Sequence, residues 1–386
     1  MAIPFAPPLA RRRRRRASGA AARPAPGGAR RVLIVSGSVG AGHDGAAREL
    51  AERLRARGVE VDIRDFLDAV PRWAASVLRD GYSTSVDKVP FVFELLFQRT
   101  ELRGPVWRGM KWITALGNRT VTRWFREHDY DLVVSTYPMS TQCIGGLRER
   151  GLIDVPVVTY LTDPAAHRSW VHPAVDHHVT VTQATADQGL ADYGVPMVAG
   201  GPLVPARFTR PVAAAELERV AAELDLPAGR PVALLVAGSL GIGDVLTTVR
   251  DVAGSGVVPL VLCGRNESLR RRVADVPGAV ALGWRTDVHV LMQVSDVLVH
   301  NAGGLSFTEA LVAGLPAVTY RAIPGHGRAN AAVLDGAGLA PWVHTPEELP
   351  EVLAKQAAAG RRPAALGDPT DTIVSLLPPV ELATSA

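Results

Sequence analysis

The stretch VLIVSGSVGAGH, residues 32–43, decides the fold. Four apolar residues run into a glycine-rich turn, a pattern typical of a buried parallel strand that leads into a helix. Behind the turn, apolar residues recur at the spacing of one helical face: Ala47, Leu50, Ala51 and Leu54. Residues 59–63 then predict a second strand. The stretch therefore predicts a βαβ unit, the building block of a doubly wound α/β fold.

The same pattern recurs along the chain. Apolar runs predict further strands at residues 132–135, 155–161, 179–182, 232–237, 258–263, 297–300 and 317–320. The segments between them are long enough for the crossover helices that parallel strands require. A proline-rich passage separates two halves. We therefore predict two Rossmann-like domains facing a ligand cleft, with boundaries at residues 31–205 and 206–365, followed by a C-terminal tail at 366–386.

Composition narrows the class of protein. With 386 residues, 47% of them hydrophobic, the chain can bury the cores of two domains. No apolar run approaches the roughly 20 residues that span a bilayer, and the two cysteines, Cys143 and Cys263, fit no paired motif. These features predict a cytoplasmic protein.

Residues 1–30 carry an arginine run and predict a disordered basic tail, with attraction to anionic lipid as the alternative. Nucleic-acid binding is disfavoured because no aromatic residues interleave with the arginines.

Residues 70–126 differ from the rest of the chain. They hold ten Arg and Lys against four acids, and four of the seven tryptophans. The tryptophans and phenylalanines that carry this pattern are Trp73, Phe91, Phe93, Phe97, Trp107, Trp112 and Trp124. Two interpretations stay open: a membrane- or acceptor-facing insertion, or a helical subdomain whose aromatic residues form its own core.

A second informative stretch is HNAGGLSFTEA, residues 300–310, followed by GLP at 314–316 and PGHGRAN at 324–330. A strand ends, two glycines turn, and a helix begins. Bare backbone N–H groups at a helix N-terminus favour a diphosphate. Glu309 is placed to accept hydrogen bonds from both ribose hydroxyls, but Ser306 and Glu309 also have the spacing of a capping box that needs no ligand.

This arrangement resembles the donor-site signature of glycosyltransferase family 28. The loop Gly40-Ala41-Gly42-His43 is similar to the Gly-Gly-Gly-His loop of monogalactosyldiacylglycerol synthases and bacterial diacylglycerol glucosyltransferases, and residues 162–163 and 170–176 resemble the same family. The resemblance implies the GT-B architecture. It places Gly40 and Gly42 in an acceptor loop. The expected donor-binding residues are Gly238, Ser239, Gly241, Gly303, Gly304, Leu305, Ser306, Glu309, His326, Arg328 and Asn330.

The resemblance also implies inverting transfer, in which an acceptor hydroxyl attacks the anomeric carbon as nucleoside diphosphate leaves. His43, at a helix N-terminus that disfavours imidazolium, is the preferred base, and Asp163 either orients it or serves as base itself. The glycine loops would stabilise the leaving diphosphate, so no metal or other cofactor is expected. The motif Asp129-Tyr130-Asp131 precedes its strand, away from the cleft, and is interpreted as the start of that strand.

The resemblance thus predicts a hexosyltransferase that uses a UDP-sugar and a lipid acceptor such as diacylglycerol, on the inner face of the cell membrane. A tailoring enzyme acting on a soluble small molecule and a UDP-N-acetylglucosamine epimerase are the alternatives. A nucleotide-sugar- or lipid-binding module without catalysis is a third.

Overall fold

A computed structural model describes residues 30–88, 90–236, 243–362 and 364–379. These residues form two α/β domains, each built on a six-stranded parallel sheet. The N-terminal sheet contains β1 (Arg31–Ser36), β2 (Glu60–Asp65), β3 (Leu132–Ser135), β4 (Val157–Tyr160), β5 (His177–Thr180) and β6 (Val198–Ala199). The C-terminal sheet contains β7 (Val232–Val236), β8 (Val258–Leu262), β9 (Val280–Leu282), β10 (Val297–His300), β11 (Ala317–Tyr320) and β12 (Trp342–Val343).

Helices cover both faces of each sheet. The first half of the chain holds α1 (Ala41–Ala56), α2 (Arg72–Lys88), α3 (Pro90–Glu101), α4 (Pro105–Ala115), α5 (Asn118–Glu127), α6 (Pro138–Glu149) and α7 (Gln183–Tyr193). The second half holds α8 (Ala214–Glu223), α9 (Val245–Gly254), α10 (Glu267–Ala274), α11 (Val288–Val294), α12 (Gly304–Ala313), α13 (His326–Gly336), α14 (Leu349–Ala359) and α15 (Pro369–Ser375). Short 3-10 helices lie at Phe66–Asp68, Arg168–Trp170 and Ala206–Phe208.

The strand order positions the site. The N-terminal sheet runs β2-β1-β3-β4-β5-β6, and the C-terminal sheet runs β12-β11-β10-β7-β8-β9. The order therefore reverses between β1 and β3 in one domain and between β7 and β10 in the other. Ligands of open α/β sheets bind in the crevice at the carboxyl ends of the strands at such reversals. The prediction of two Rossmann-like domains is confirmed, and the glycine turns after β1 and β10 lie at the two reversal points.

The C-terminal segment corrects one prediction. Residues 366–379 were expected in a tail, but the chain crosses back to the N-terminal domain, where Ile373 is fully buried against the core of the first sheet. Asp368 caps α15 by accepting from Thr370 N at 2.9 Å, and it also pairs with Arg53 at 3.0 Å. The prediction of a tail is wrong for residues 366–379. Their short helix is buried against the apolar side of α1, and its own sequence does not show that contact. The basic tail at 1–29 and residues 380–386 lie outside the described residues.

The insertion at residues 70–126 forms α2 to α5. On its inner side, Ala74, Val121 and Trp124 are buried in the core behind the first sheet. On its outer side, large apolar side chains are exposed, with Phe91 78% and Trp112 59% accessible. We call this outer group the apolar face; its members are Trp73, Val77, Phe91, Val92, Leu95, Leu96, Leu102 and Trp112. The insertion therefore contributes both to a core and to an exposed apolar surface.

Candidate active site

A cleft of about 490 Å³ lies between the two domains, at the carboxyl ends of their strands. Its volume is in the range of small-molecule sites. Ten of the predicted site residues line it: Gly40, Gly42, His43, Asp163, Gly303, Gly304, Leu305, Ser306, Glu309 and His326. The structure thus brings the glycine turn after β1 and the glycine turn after β10 to the same cavity.

His43 lies in the first turn of α1, whose N-cap is Gly40. Its Nδ1 is 2.9 Å from Thr162 Oγ1, and its ring packs edge-on against Tyr137 with centroids 5.1 Å apart. Burial lowers the pKa of His43, while the charge of Asp163 partly opposes that shift. The imidazole is therefore neutral at pH 7 and able to accept a proton. Thr162 was noted in the sequence only for its resemblance to a family motif, and its contact with His43 was not anticipated.

Asp163 is engaged by residues other than His43. Its Oδ2 accepts a hydrogen bond from Trp170 Nε1 at 2.9 Å and lies 3.4 Å from His167 Nε2. Burial alone would raise the pKa of Asp163, but the hydrogen bond and charge of His167, with the charges of His326 and His43, hold it well below its ordinary range. A carboxylate with so low a pKa is a weak base. The hydrogen bond to the His43 ring comes from Thr162 and not from Asp163, and the role of either residue as base stays a prediction.

Glu309 lies one turn into α12, whose N-cap is Gly303. Ser306 is inside the helix and makes no capping hydrogen bond, so the capping box is not formed. Within the described part of the chain, the Glu309 carboxyl has no hydrogen bond or ion pair. Burial raises its pKa to about 7, and the charge of Arg207 only partly opposes the shift. An unpaired carboxyl lining a cleft favours a ligand that donates hydrogen bonds.

The two domains meet closely at the start of α12. A side chain on Gly304 would collide with the backbone oxygen of Thr162. In the sequence, this glycine suggested a bare backbone for a diphosphate. The structure adds a second reason for glycine at position 304: here α12 packs against Thr162, the residue that contacts His43. Two residues before Gly304, Ala302 adopts φ 68°, a left-handed conformation that is strained for alanine.

Two predicted donor-binding residues do not line the cleft. Asn330 is fully buried, accepts from Ala165 N at 2.9 Å and donates to Ala302 O at 2.9 Å. Both ends of its amide are thus used by protein groups, and it joins the two domains. Arg328 is half exposed and lies 3.4 Å from Glu94 of α3. The sequence pattern identified these residues but not their partners within the protein, and donor contacts by these two side chains stay a prediction.

The predicted donor-binding residues Gly238, Ser239 and Gly241 lie outside the described residues. Gly243 has φ 99° and precedes Asp244, the N-cap of α9.

The sequence missed part of the cavity wall. Residues 283–286, directly after β9, line the side of the cleft formed by the C-terminal domain. There the Arg265 guanidinium lies 4.8 Å from the centre of the Trp284 ring, and Arg285 pairs with Asp287 at 2.5 Å. In the sequence, the one feature that could have indicated residues 283–286 as part of the site is that they follow the carboxyl end of a strand.

Among the described residues, no group of three or more His, Cys, Asp or Glu side chains is arranged to hold a metal ion. In the Asp129-Tyr130-Asp131 motif, Asp131 accepts from Arg31 N at 2.7 Å and Tyr130 donates to Asp62 at 2.8 Å. The motif therefore fixes the start of β3, at the end of the sheet opposite the cleft.

Solved structures show the same architecture. MurG from Acinetobacter baumannii superposes with a TM-score of 0.55 at 17% identity, covering 91% of this chain and 99% of that one. The glycosyltransferase of kitacinnamycin gives a TM-score of 0.59 at 18% identity, covering 91% of this chain and all of the other. Fold and cleft together define the GT-B architecture.

Sequence comparison narrows the class. Residues 43–197 match the model of the monogalactosyldiacylglycerol (MGDG) synthase family. Processive diacylglycerol beta-glucosyltransferases from Bacillus pumilus and Bacillus subtilis are each 24% identical, over 339 and 338 residues, covering 83% of this chain and 85% of each relative. By these matches the chain is similar to glycosyltransferase family 28, in the group of monogalactosyldiacylglycerol synthases and diacylglycerol glucosyltransferases.

Proposed function

We propose that this enzyme transfers a hexose from a UDP-sugar to a lipid acceptor of the diacylglycerol type, with inversion at the anomeric carbon. The observation that carries the proposal is a cleft with a neutral imidazole on one wall and the Glu309 carboxyl on the other. Among the residues that the structure describes, this carboxyl has no hydrogen bond or ion pair. The names of the relatives, which act on diacylglycerol, support the choice of acceptor.

In the proposed reaction, the acceptor hydroxyl lies beside His43 and the nucleotide lies against α12. As the new bond forms between the acceptor oxygen and the anomeric carbon, the bond from that carbon to the diphosphate breaks. The acceptor proton passes to His43, whose neutral state makes it ready to receive it. Glu309 holds the ribose hydroxyls, and the helix N-terminus at Gly303 and Gly304 receives the charge that develops on the leaving diphosphate. This arrangement needs no metal ion.

The apolar face supports a lipid acceptor. Exposed apolar patches of this kind mark interaction surfaces, and tryptophan and arginine are suited to the headgroup region of a membrane. Beside the patch, Arg103, Arg108 and Lys111 form no ion pair with any residue that the structure describes. We propose that the face docks on an anionic membrane surface at its cytoplasmic side, so that the acceptor reaches the cleft from the bilayer. No helix in the described ranges is long and apolar enough to cross a membrane.

The test is a transfer assay with radiolabelled UDP-sugars and vesicles that contain diacylglycerol. Label that enters the organic phase supports the proposal, and His43→Ala provides the matched negative control. Label that appears only in a water-soluble product would indicate a soluble acceptor. Conversion of the donor without any acceptor would indicate an epimerase, and either of these results would refute the proposed function.

A further inference from the structure

Helix α3 has two chemically different sides. Its outer side carries exposed residues of the apolar face, among them Phe91 and Leu95. Its inner side carries Glu94, Phe97 and Glu101, spaced three and four residues apart as one helical face requires. The inner side contacts both domains.

Glu101 fastens the C-terminal end of α3 to the N-terminal domain. Its carboxylate accepts from Arg168 N at 3.0 Å and from the Tyr193 hydroxyl at 2.7 Å. Phe97 then packs edge-on against His167, with ring centroids 5.5 Å apart, and lies 6.3 Å from His326 of the other domain. The helix thus runs from one domain towards the other, beside His326, which lines the cleft.

Glu94 makes the contact with the C-terminal domain. Its Oε2 accepts a hydrogen bond from Gly325 N at 2.7 Å and lies 3.4 Å from Arg328 Nη1. Gly325 is the N-cap of α13 and has φ 68°, and no side chain of its own turn caps the helix. A side chain at position 325 would also press on Phe93 and Phe97, at 2.8 and 3.0 Å. The first turn of α13 is therefore completed by a helix that belongs to the other domain.

We infer that Glu94 is a positioning residue for the donor site: by capping α13 across the cleft, it fixes His326, the first residue of that helix, in the cavity wall. Glu94 is not among the described residues that line the cavity. It acts through the backbone of Gly325 and through His326, which is one of the expected donor-binding residues. The inference rests on the proposed function only for this last step.

The test compares Glu94→Ala and Glu94→Gln with Glu127→Gln. Glu127 is a matched control because it also forms ion pairs, with Arg64 and Arg123, but on the surface of the N-terminal domain. Hydrogen exchange followed by mass spectrometry reports on the amides of residues 325–329. We expect Glu94→Ala to speed their exchange about tenfold, while amides of β4 stay unchanged. Glu94→Gln should fall between Ala and wild type, because a carboxamide oxygen still accepts from Gly325 N.

Steady-state kinetics gives a second readout. With Glu94→Ala, we expect the KM for the UDP-sugar to rise about tenfold, kcat to change less than about threefold, and the Kd for UDP alone to stay nearly constant. Unchanged exchange at residues 325–329, or equal acceleration throughout the protein, would overturn the inference. The exchange experiment needs no acceptor and no turnover, so it decides the capping role even if the proposed transfer reaction is not found.

Discussion

The substitution Glu309→Gln should stabilise the ligand-free protein while weakening nucleotide binding. Burial moves the pKa of Glu309 from its ordinary 4.5 to about 7, which corresponds to a cost of about 3 kcal/mol for ionising the folded protein. Because the pKa of this acid is raised, the folded state binds more protons than the unfolded state between these values. The cost is therefore absent below about pH 4.5, grows as pH rises, and is complete above about pH 7.

Glutamine removes this cost because it does not ionise. At pH 8, the melting temperature of the ligand-free variant should rise by several degrees, at about 2–4 °C per kcal/mol, and at pH 4.5 it should equal that of wild type. Differential scanning calorimetry at the two pH values provides the measurement.

The same substitution should weaken binding of UDP by about 10- to 100-fold at pH 8, because hydrogen bonds from the ribose lose their charge assistance. For wild type, affinity should fall as pH drops below 7, since a protonated Glu309 must first release its proton. The glutamine variant corrects for titration of the nucleotide itself. A lower melting temperature at pH 8 together with unchanged UDP affinity would refute the reasoning, because Glu309 would then serve the fold and not the ligand.

Three further predictions concern catalysis and docking. His43→Ala should lower kcat by about 10²–10⁴-fold with UDP affinity nearly constant. The acid limb of the wild-type pH–rate profile reports protonation of the His43 imidazole, whose pKa is lowered, and this limb should disappear in the variant. Activity should persist in EDTA, and a loss restored by Mn²⁺ would contradict the proposed anion site. Phe91→Ser and Trp112→Ser should reduce cosedimentation with anionic vesicles without changing UDP affinity, whereas Leu152→Ser, 52% exposed but outside the apolar face, should bind vesicles normally.

The two sheets could be predicted because their central strands are buried on both sides. Such strands appear in the sequence as continuous apolar runs, and residues 132–135, 297–300 and 317–320 were assigned with the bounds that the structure has. The short helix Pro369–Ser375 could not be predicted in the same way. It has seven residues, too few for a clear periodic pattern, and its position depends on the surface of α1.

The site was predictable where one local pattern defines a residue's surroundings. His43 and Glu309 each follow a strand and a glycine turn, so the sequence placed them at the cleft edge of their own domain. Arg328 and Asn330 are equally close to a recognisable pattern, but their partners, Glu94 and Ala165, come from the other domain. No spacing along the chain indicates such a partner, and a polar side chain beside a glycine turn was therefore interpreted as a ligand contact.

Gly304 shows why a sequence pattern cannot distinguish a ligand contact from a contact within the protein. A missing side chain is required wherever any group must approach the backbone closely, whether that group is a phosphate or a carbonyl of the protein. At Gly304 the group that approaches is the backbone oxygen of Thr162, and the side chain of the same threonine contacts His43. Thr162 thus contacts both α12 and His43. The distance between the two domains and the orientation of the imidazole therefore both depend on the position of Thr162. Only the folded arrangement of both halves contains that information.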